Sequence, residues 1–185
     1  MNRRHRRFAF LPAFIAATLA AQDPPPAPEG FTWKKLDAIK ASFLMPNGWH
    51  FKAETHGATL AYFLSEESID AKAEFETGLT LNVFHLRQDK AQERAVGVLA
   101  EYAQAPGNEL VEAWEAGTGV VKGVGGRIRK VEKGYPPLML VVVAIGNSRT
   151  NALYVLIFES PESRWKQAWE KGEKMLDLFL LDDEY

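Results

Sequence analysis

Cysteine is absent from the 185 residues. No disulfide supports the fold, no thiol is available as a nucleophile, and no cysteine follows the N-terminal segment to take a lipid anchor. A membrane-length apolar stretch is also missing from the N-terminus. The run from Phe8 to about Ala21 has roughly 14 residues and includes Pro12, whereas a spanning helix needs about 20. Catalytic signatures are equally scarce. No serine sits in GxSxG, and the glycine-rich stretch Gly117 to Gly126 matches neither GxGxxG nor GxxxxGK[ST].

What the N-terminus does contain is a basic cluster, Arg3, Arg4, Arg6 and Arg7, then the apolar run, then the small residues Ala20 and Ala21. Basic, apolar, small is the order of a cleavable secretory signal, here with cleavage expected after Ala20. The paired arginines also admit a twin-arginine route, although Ala9 stands where that signal usually has a bulky residue. Residues 1–20 hold four of the 22 basic residues and none of the 24 acidic ones, so their removal takes the net charge from −2 to −6. An acidic surface disfavours nucleic acid and anionic membranes, both of which reward clustered Lys and Arg. Residues 21–30 include the proline-rich QDPPPAPEG, read as an extended, solvated linker. Residues 31–185 are the length of one domain.

Within that domain, Pro46-Asn47-Gly48 marks a turn, and Trp49–Thr55 and Ala58–Leu64 pair as a hairpin across His56-Gly57. Leu79–Leu86 is a strand with Leu79, Leu81 and Val83 on one face. Asp89 is placed to cap a helix, with Gln92 completing a capping box. Ala91, Ala95, Val98, Leu99 and Tyr102 form its apolar stripe, and Pro106-Gly107-Asn108 stops it. Leu138–Ile145 and Ala152–Phe158 are apolar at every position, which requires cover on both faces and places them centrally as an antiparallel pair. A last helix is expected with Ser160 as cap, Pro161 at its first position, and Trp165, Ala168, Trp169, Gly172, Leu176 and Phe179 on one face. Trp169→Ala should therefore be severely destabilising. The order gives an α+β fold, a three-layer α/β/α sandwich around a mainly antiparallel β-sheet.

Two segments resemble a known family. Pro46-Asn47-Gly48-Trp49 resembles the Pro-x-Gly-Trp segment near the start of PsbP-like domains. Leu153-Tyr154-Val155 leading into FESPESRW, Phe158 to Trp165, resembles their closing strand and helix entry. Members include extrinsic proteins on the lumenal side of photosystem II and bacterial relatives of mostly undefined function. Photosystem binding is not carried over, because residues Glu66 to Gly134 find no residue-by-residue match. The resemblance implies the three-layer fold, export, and a non-catalytic accessory style of function.

The candidates for chemistry are few. His50, His56 and His85 are the metal-ligand candidates, but they lack the i,i+2 or i,i+4 spacing of local ligand pairs. His85, on the face of Leu79, Leu81 and Val83, reads as a partly buried structural histidine. Gly117 to Gly126 reads as a glycine-bent strand or bulge. Arg127 and Arg129, with Lys122 nearby, read as solvated edge charges ahead of an acidic-ligand site. Glu66, Glu67, Asp70, Glu74 and Glu76 read as a solvated loop. Trp33, Trp49, Phe51 and Trp114 are either a binding platform or core plugs. The resulting expectation is an exported accessory or binding protein, periplasmic or extracellular. It has no cofactor, no catalytic residues and no stable membrane insertion after cleavage. Its partner is an envelope protein or a small ligand. The alternative is a small extracytoplasmic hydrolase-type enzyme using carboxylates or a His-bound metal.

Overall fold

The computed structural model describes residues 24–69, 75–88, 90–182 and 185. The expected signal, residues 1–20, lies outside them, as do Asp70, Glu74 and Asp89. Strands β1 (Phe31–Leu36) and β2 (Ala41–Pro46) form an antiparallel hairpin, followed by β3 (His50–His56), β4 (Thr59–Ser65) and β5 (Gly78–His85). Helix α1 (Ala91–Gln104) precedes four strands: β6 (Asn108–Thr118), β7 (Val121–Lys130), β8 (Leu138–Asn147) and β9 (Ala152–Pro161). Helix α2 (Trp165–Asp177) and the short β10 (Leu180–Leu181) close the chain. A seven-stranded sheet has the order β3-β4-β5-β9-β8-β7-β6, and a second sheet has the order β1-β2-β10. Every strand pair is antiparallel.

This order explains the position of α1. Strand β5 lies beside β9, while β6 is the far edge, so the chain must cross three strands between them. Helix α1 makes that crossing and packs on β8, β7, β9 and β6. Helix α2 and the small sheet cover the opposite face. The three-layer, α+β expectation thus holds in outline, with one addition. The second layer is a helix joined by its own three-stranded sheet, because β1, β2 and β10 bury Phe31, Leu36, Phe43, Leu44 and Leu181 beside α2.

The apolar runs follow from the same layering. Val141, Val143 and Ile145 of β8 enter the α2-side core, while Leu140, Val142 and Ala144 enter the α1-side core. Strand β9 divides likewise, with Tyr154, Leu156 and Phe158 on one side and Leu153 and Val155 on the other. Strand β5 alternates because the α1-side layer reaches only its end, where Phe84 packs: Leu79, Leu81 and Val83 are buried, while Thr80 and Asn82 are half-buried.

The cap expected of Asp89 lies outside the described residues, while the one expected of Ser160 is replaced. The Gln92 amide donates to the Gly119 and Val120 carbonyls, tying α1 to the β6–β7 turn. The N-terminus of α1 is also held from the β8–β9 turn, where the Ala91 N–H donates to Asn151 Oδ1 at 2.8 Å. Asn151 holds φ +58°, a left-handed conformation that asparagine tolerates better than most residues. At the other helix, β9 continues through Pro161, and a 3₁₀ turn at Glu162–Arg164 precedes α2. Ser160 is buried and faces the Thr77 hydroxyl at 3.3 Å, so it is a strand residue and not a cap.

Helix α2 packs by size complementarity. Gly172 leaves room for the Phe158 ring; a Cβ there would stand 2.7 Å from it. Trp165 and Trp169 stack on one another at 5.2 Å and meet Phe158 edge-on at 5.9 and 5.7 Å. At the helix end, burial and then the Glu173 carboxylate one turn earlier push the Asp177 carboxyl up to about 6 from 3.8. The charged form is therefore the costly one in the fold. That penalty is fully present above about pH 6 and fades as pH falls toward the unfolded value. Asp177→Asn is expected to stabilise the protein at about pH 7 by about 1 kcal/mol, since solvent screening trims the full shift. The gain should vanish below about pH 4, which melting curves at both pH values check.

The proline-rich segment is less solvated than expected. Trp33 Nε1 donates to the Pro25 carbonyl at 2.6 Å, and Ala27 packs against the α2-side core. A flat indole beside β1 gives the segment something to lie on.

Candidate functional site

One end of the seven-stranded sheet carries the features of a binding site. The β7–β8 loop, residues 131–137, meets the junction between β9 and α2 there, and the Glu162 N–H donates to the Pro137 carbonyl at 2.9 Å. Arg129 of β7 grips Glu162 with two hydrogen bonds of 2.9 Å. Both groups are exposed, and the guanidinium holds the Glu162 carboxyl below its ordinary value. Between these elements opens a groove of about 400 Å³ with mostly apolar walls. Tyr135, Pro136, Leu138 and Pro161 form the walls, and Glu76, Glu132, Lys130 and Arg164 form the rim. Tyr135 is 69% exposed, the most exposed large apolar side chain among the described residues, and Val131 is nearby at 44%.

Arg164 separates this groove from a smaller cavity of about 230 Å³ beside Trp49, Gln167 and Lys171. It gathers three of the loop carboxylates. Its guanidinium lies 2.5 Å from Glu66, 3.7 Å from Glu67 and 3.8 Å from Glu76. Lys171 adds a 3.1 Å pair with Glu66. The described acidic residues of this loop are therefore charge partners of the α2 entry, where sequence alone reads them as solvated.

The structure does not bring the three histidines together. His50 and His56 stand at opposite ends of β3, about 20 Å apart at strand rise. His56 pairs with Glu54 at 2.8 Å. His85 lies two strands away at the end of β5, exposed, with Nε2 3.0 Å from the Tyr185 hydroxyl and its ring edge-on to that tyrosine. Its expected burial fails because the apolar face of β5 ends at Val83, where the covering layer stops. Among the described residues, no group of three or more His, Asp or Glu side chains is arranged to hold a metal ion.

No family model and no curated protein matches the chain by sequence. Solved structures match it by shape. The Ran-binding protein Mog1p of Saccharomyces cerevisiae superposes with a TM-score of 0.54 at 12% identity, over 80% of this chain and 94% of that one. Cyanobacterial PsbP (CyanoP) from Synechocystis sp. PCC 6803 gives 0.53 at 12% identity, over 86% and 97%. The chain has the PsbP/Mog1-like fold. The resemblance seen at Pro46–Trp49 and Phe158–Trp165 is borne out at that level. At such identity the likeness concerns the fold and transfers no residue's role.

On this PsbP/Mog1-like frame the remaining sequence candidates turn inward. Trp49 is buried, and Trp33, Phe51 and Trp114 are half-buried against the α2-side core. Trp114 lies over Gly125, where a Cβ would stand 2.4 Å from its indole. The glycine-rich stretch is thus a tight β6–β7 turn at Gly117 and Gly119, both at positive φ, followed by a strand bared for aromatic cover. Arg127 pairs with Glu112 at 3.3 Å and Arg129 with Glu162, so neither is simply a solvated charge. The bulge falls in β6, between Leu110 and Glu112. Among the described residues, no helix is long and apolar enough to cross a membrane.

Sequence reasoning misses Tyr135. The signal for it is local: Lys133-Gly134-Tyr135-Pro136-Pro137 puts an aromatic ring inside a turn between two strands, where no core position exists for it.

Proposed function

We propose that this chain is an exported, non-catalytic accessory or binding protein and that the groove at the sheet end is its binding surface. Its signal is residues 1–20, its linker 21–30, and its single domain 31–185; the mature protein is periplasmic or extracellular. The observation that carries the reading is the composition of the groove. A loop hydrogen-bonded at both ends presents an exposed tyrosine beside two prolines over apolar walls, with charges only at the rim. Apolar centre and charged rim is the anatomy of a protein-binding patch. Mog1p, which shares the fold, is a Ran-binding protein, and this makes a protein partner a natural use of such a frame. The pairing of Glu66, Glu67 and Glu76 with Arg164 favours binding over hydrolysis, since none of these carboxylates is left as an unpaired acid–base group.

Two outcomes follow. Protein recovered from the extracytoplasmic fraction should have the intact mass of a chain beginning at Ala21. A full-length, cytoplasmic chain would contradict export. A partner retained by the wild type should be released by Tyr135→Ser, with affinity falling at least about tenfold and the melting temperature unchanged. Equal retention by the variant would exclude the groove as the binding surface.

A further inference from the structure

A second cavity, also about 400 Å³, lies on the α1 side of the sheet. It exists because α1 ends at Gln104, one turn short of covering the ends of β8 and β9. Leu140 and Ile157 are its apolar floor, and Tyr102 and Asn108 are its wall. Glu159 also lines it, facing the same side as Leu153 and Val155 by strand alternation. Burial pushes the Glu159 carboxyl above its ordinary value, opposed in part by Lys130 through space. Lys130 lines the cavity too, with its ammonium drawn to Glu132 at 3.3 Å. The Tyr102 hydroxyl is pushed up as well, by its burial first and by the nearby Glu159 second.

A carboxylate beside an apolar floor is costly unless something donates to it. An anion would be repelled, and an alcohol would bring one donor and no charge. A primary ammonium brings three donors and a positive charge, and its methylene stem covers apolar floor as the stem of lysine does. We propose that this cavity binds a primary alkylammonium group, with nitrogen at the Glu159 carboxylate and the alkyl stem on Leu140 and Ile157. The Tyr102 hydroxyl oxygen is placed to accept a further N–H. Lys130, whose charge reaches Glu159, opposes binding. The site shares Lys130 with the rim of the Tyr135 groove but needs no occupant there.

The test is an NMR titration of the full chain with n-butylammonium chloride and with n-butanol as the uncharged match. Butylammonium is expected to shift the Leu140 and Ile157 resonances saturably, while butanol shifts them at least about tenfold more weakly. Glu159→Gln, which keeps shape and removes charge, should weaken butylammonium at least about tenfold at a melting temperature equal to or above that of the wild type. Lys130→Gln should tighten it. Repeating the titration with Nα-acetyl-lysine methylamide and with 1,4-diaminobutane distinguishes a lysine side chain from a free diamine as the source. Binding of either through Glu159 supports the site. Equal binding of butanol, indifference to Glu159→Gln, or no saturable shift with any amine overturns it.

Discussion

Gly146→Val is expected to destabilise the protein by about 3 kcal/mol, roughly 6–12 °C in melting temperature. Gly146 lies in β8 on the face that receives α1, and a Cβ there would strike the backbone of Ala91 and Gln92. A backbone cannot yield as a flexible side chain does. The same helix end is tied to the next turn by the Ala91–Asn151 hydrogen bond and to the β6–β7 turn by Gln92. Lifting it therefore breaks three attachments together. Hydrogen exchange should show lost protection in α1 and the strands beneath it while β3 and β4, at the far edge of the sheet, keep theirs. An unchanged melting temperature would mean that α1 does not rest on Gly146.

Phe158→Ala is expected to cost about 4 kcal/mol. The ring is fully buried at the point where Gly172, Trp165 and Trp169 of α2 converge on β9. Removing it leaves a void that Gly172 cannot fill and takes the edge-on partner from both tryptophans. Trp169→Ala should cost less, about 2 kcal/mol, because Trp169 is half-buried and Trp165 still covers Phe158 when it is gone. The severe effect expected of Trp169 from sequence thus passes largely to the phenylalanine beneath it. Equal losses in the two variants, measured by urea unfolding, would contradict this ranking.

The difference between the two residues shows what the sequence can convey. Leu138–Ile145 and Ala152–Phe158 announce a doubly covered central pair because side chains alternate between faces in any strand, whatever its neighbours. The α1 stripe is equally legible, and its buried residues Ala91, Ala95, Val98 and Leu99 all belong to the expected face. Both signals are local periodicities. The role of Ser160 and the anchor of α1 escape a sequence reading because the partners are distant in the chain: Thr77 lies 83 residues from Ser160, and Asn151 lies 60 from Ala91. The second sheet is hidden for the same reason, since β10 is only two residues long and exists by pairing with β2. For the groove, sequence offers the turn at residues 133–137 but not the neighbours that make it a cleft. Its rim joins Glu76, Lys130, Glu132 and Arg164 from separate parts of the chain. The histidines fail in the opposite direction. They are few enough to draw notice, yet strand geometry separates His50 from His56 by the length of β3.

The binding role of the sheet-end groove is tested most directly by site-specific photo-cross-linking in the native envelope. A photoreactive phenylalanine analogue replaces Tyr135 in one strain and Glu115, exposed on the β6 edge, in another. A binding groove should give one discrete adduct from position 135, absent from position 115 and competed away by excess unlabelled protein. Adducts of equal yield at both positions, or none at 135 with the protein folded and exported, would contradict it.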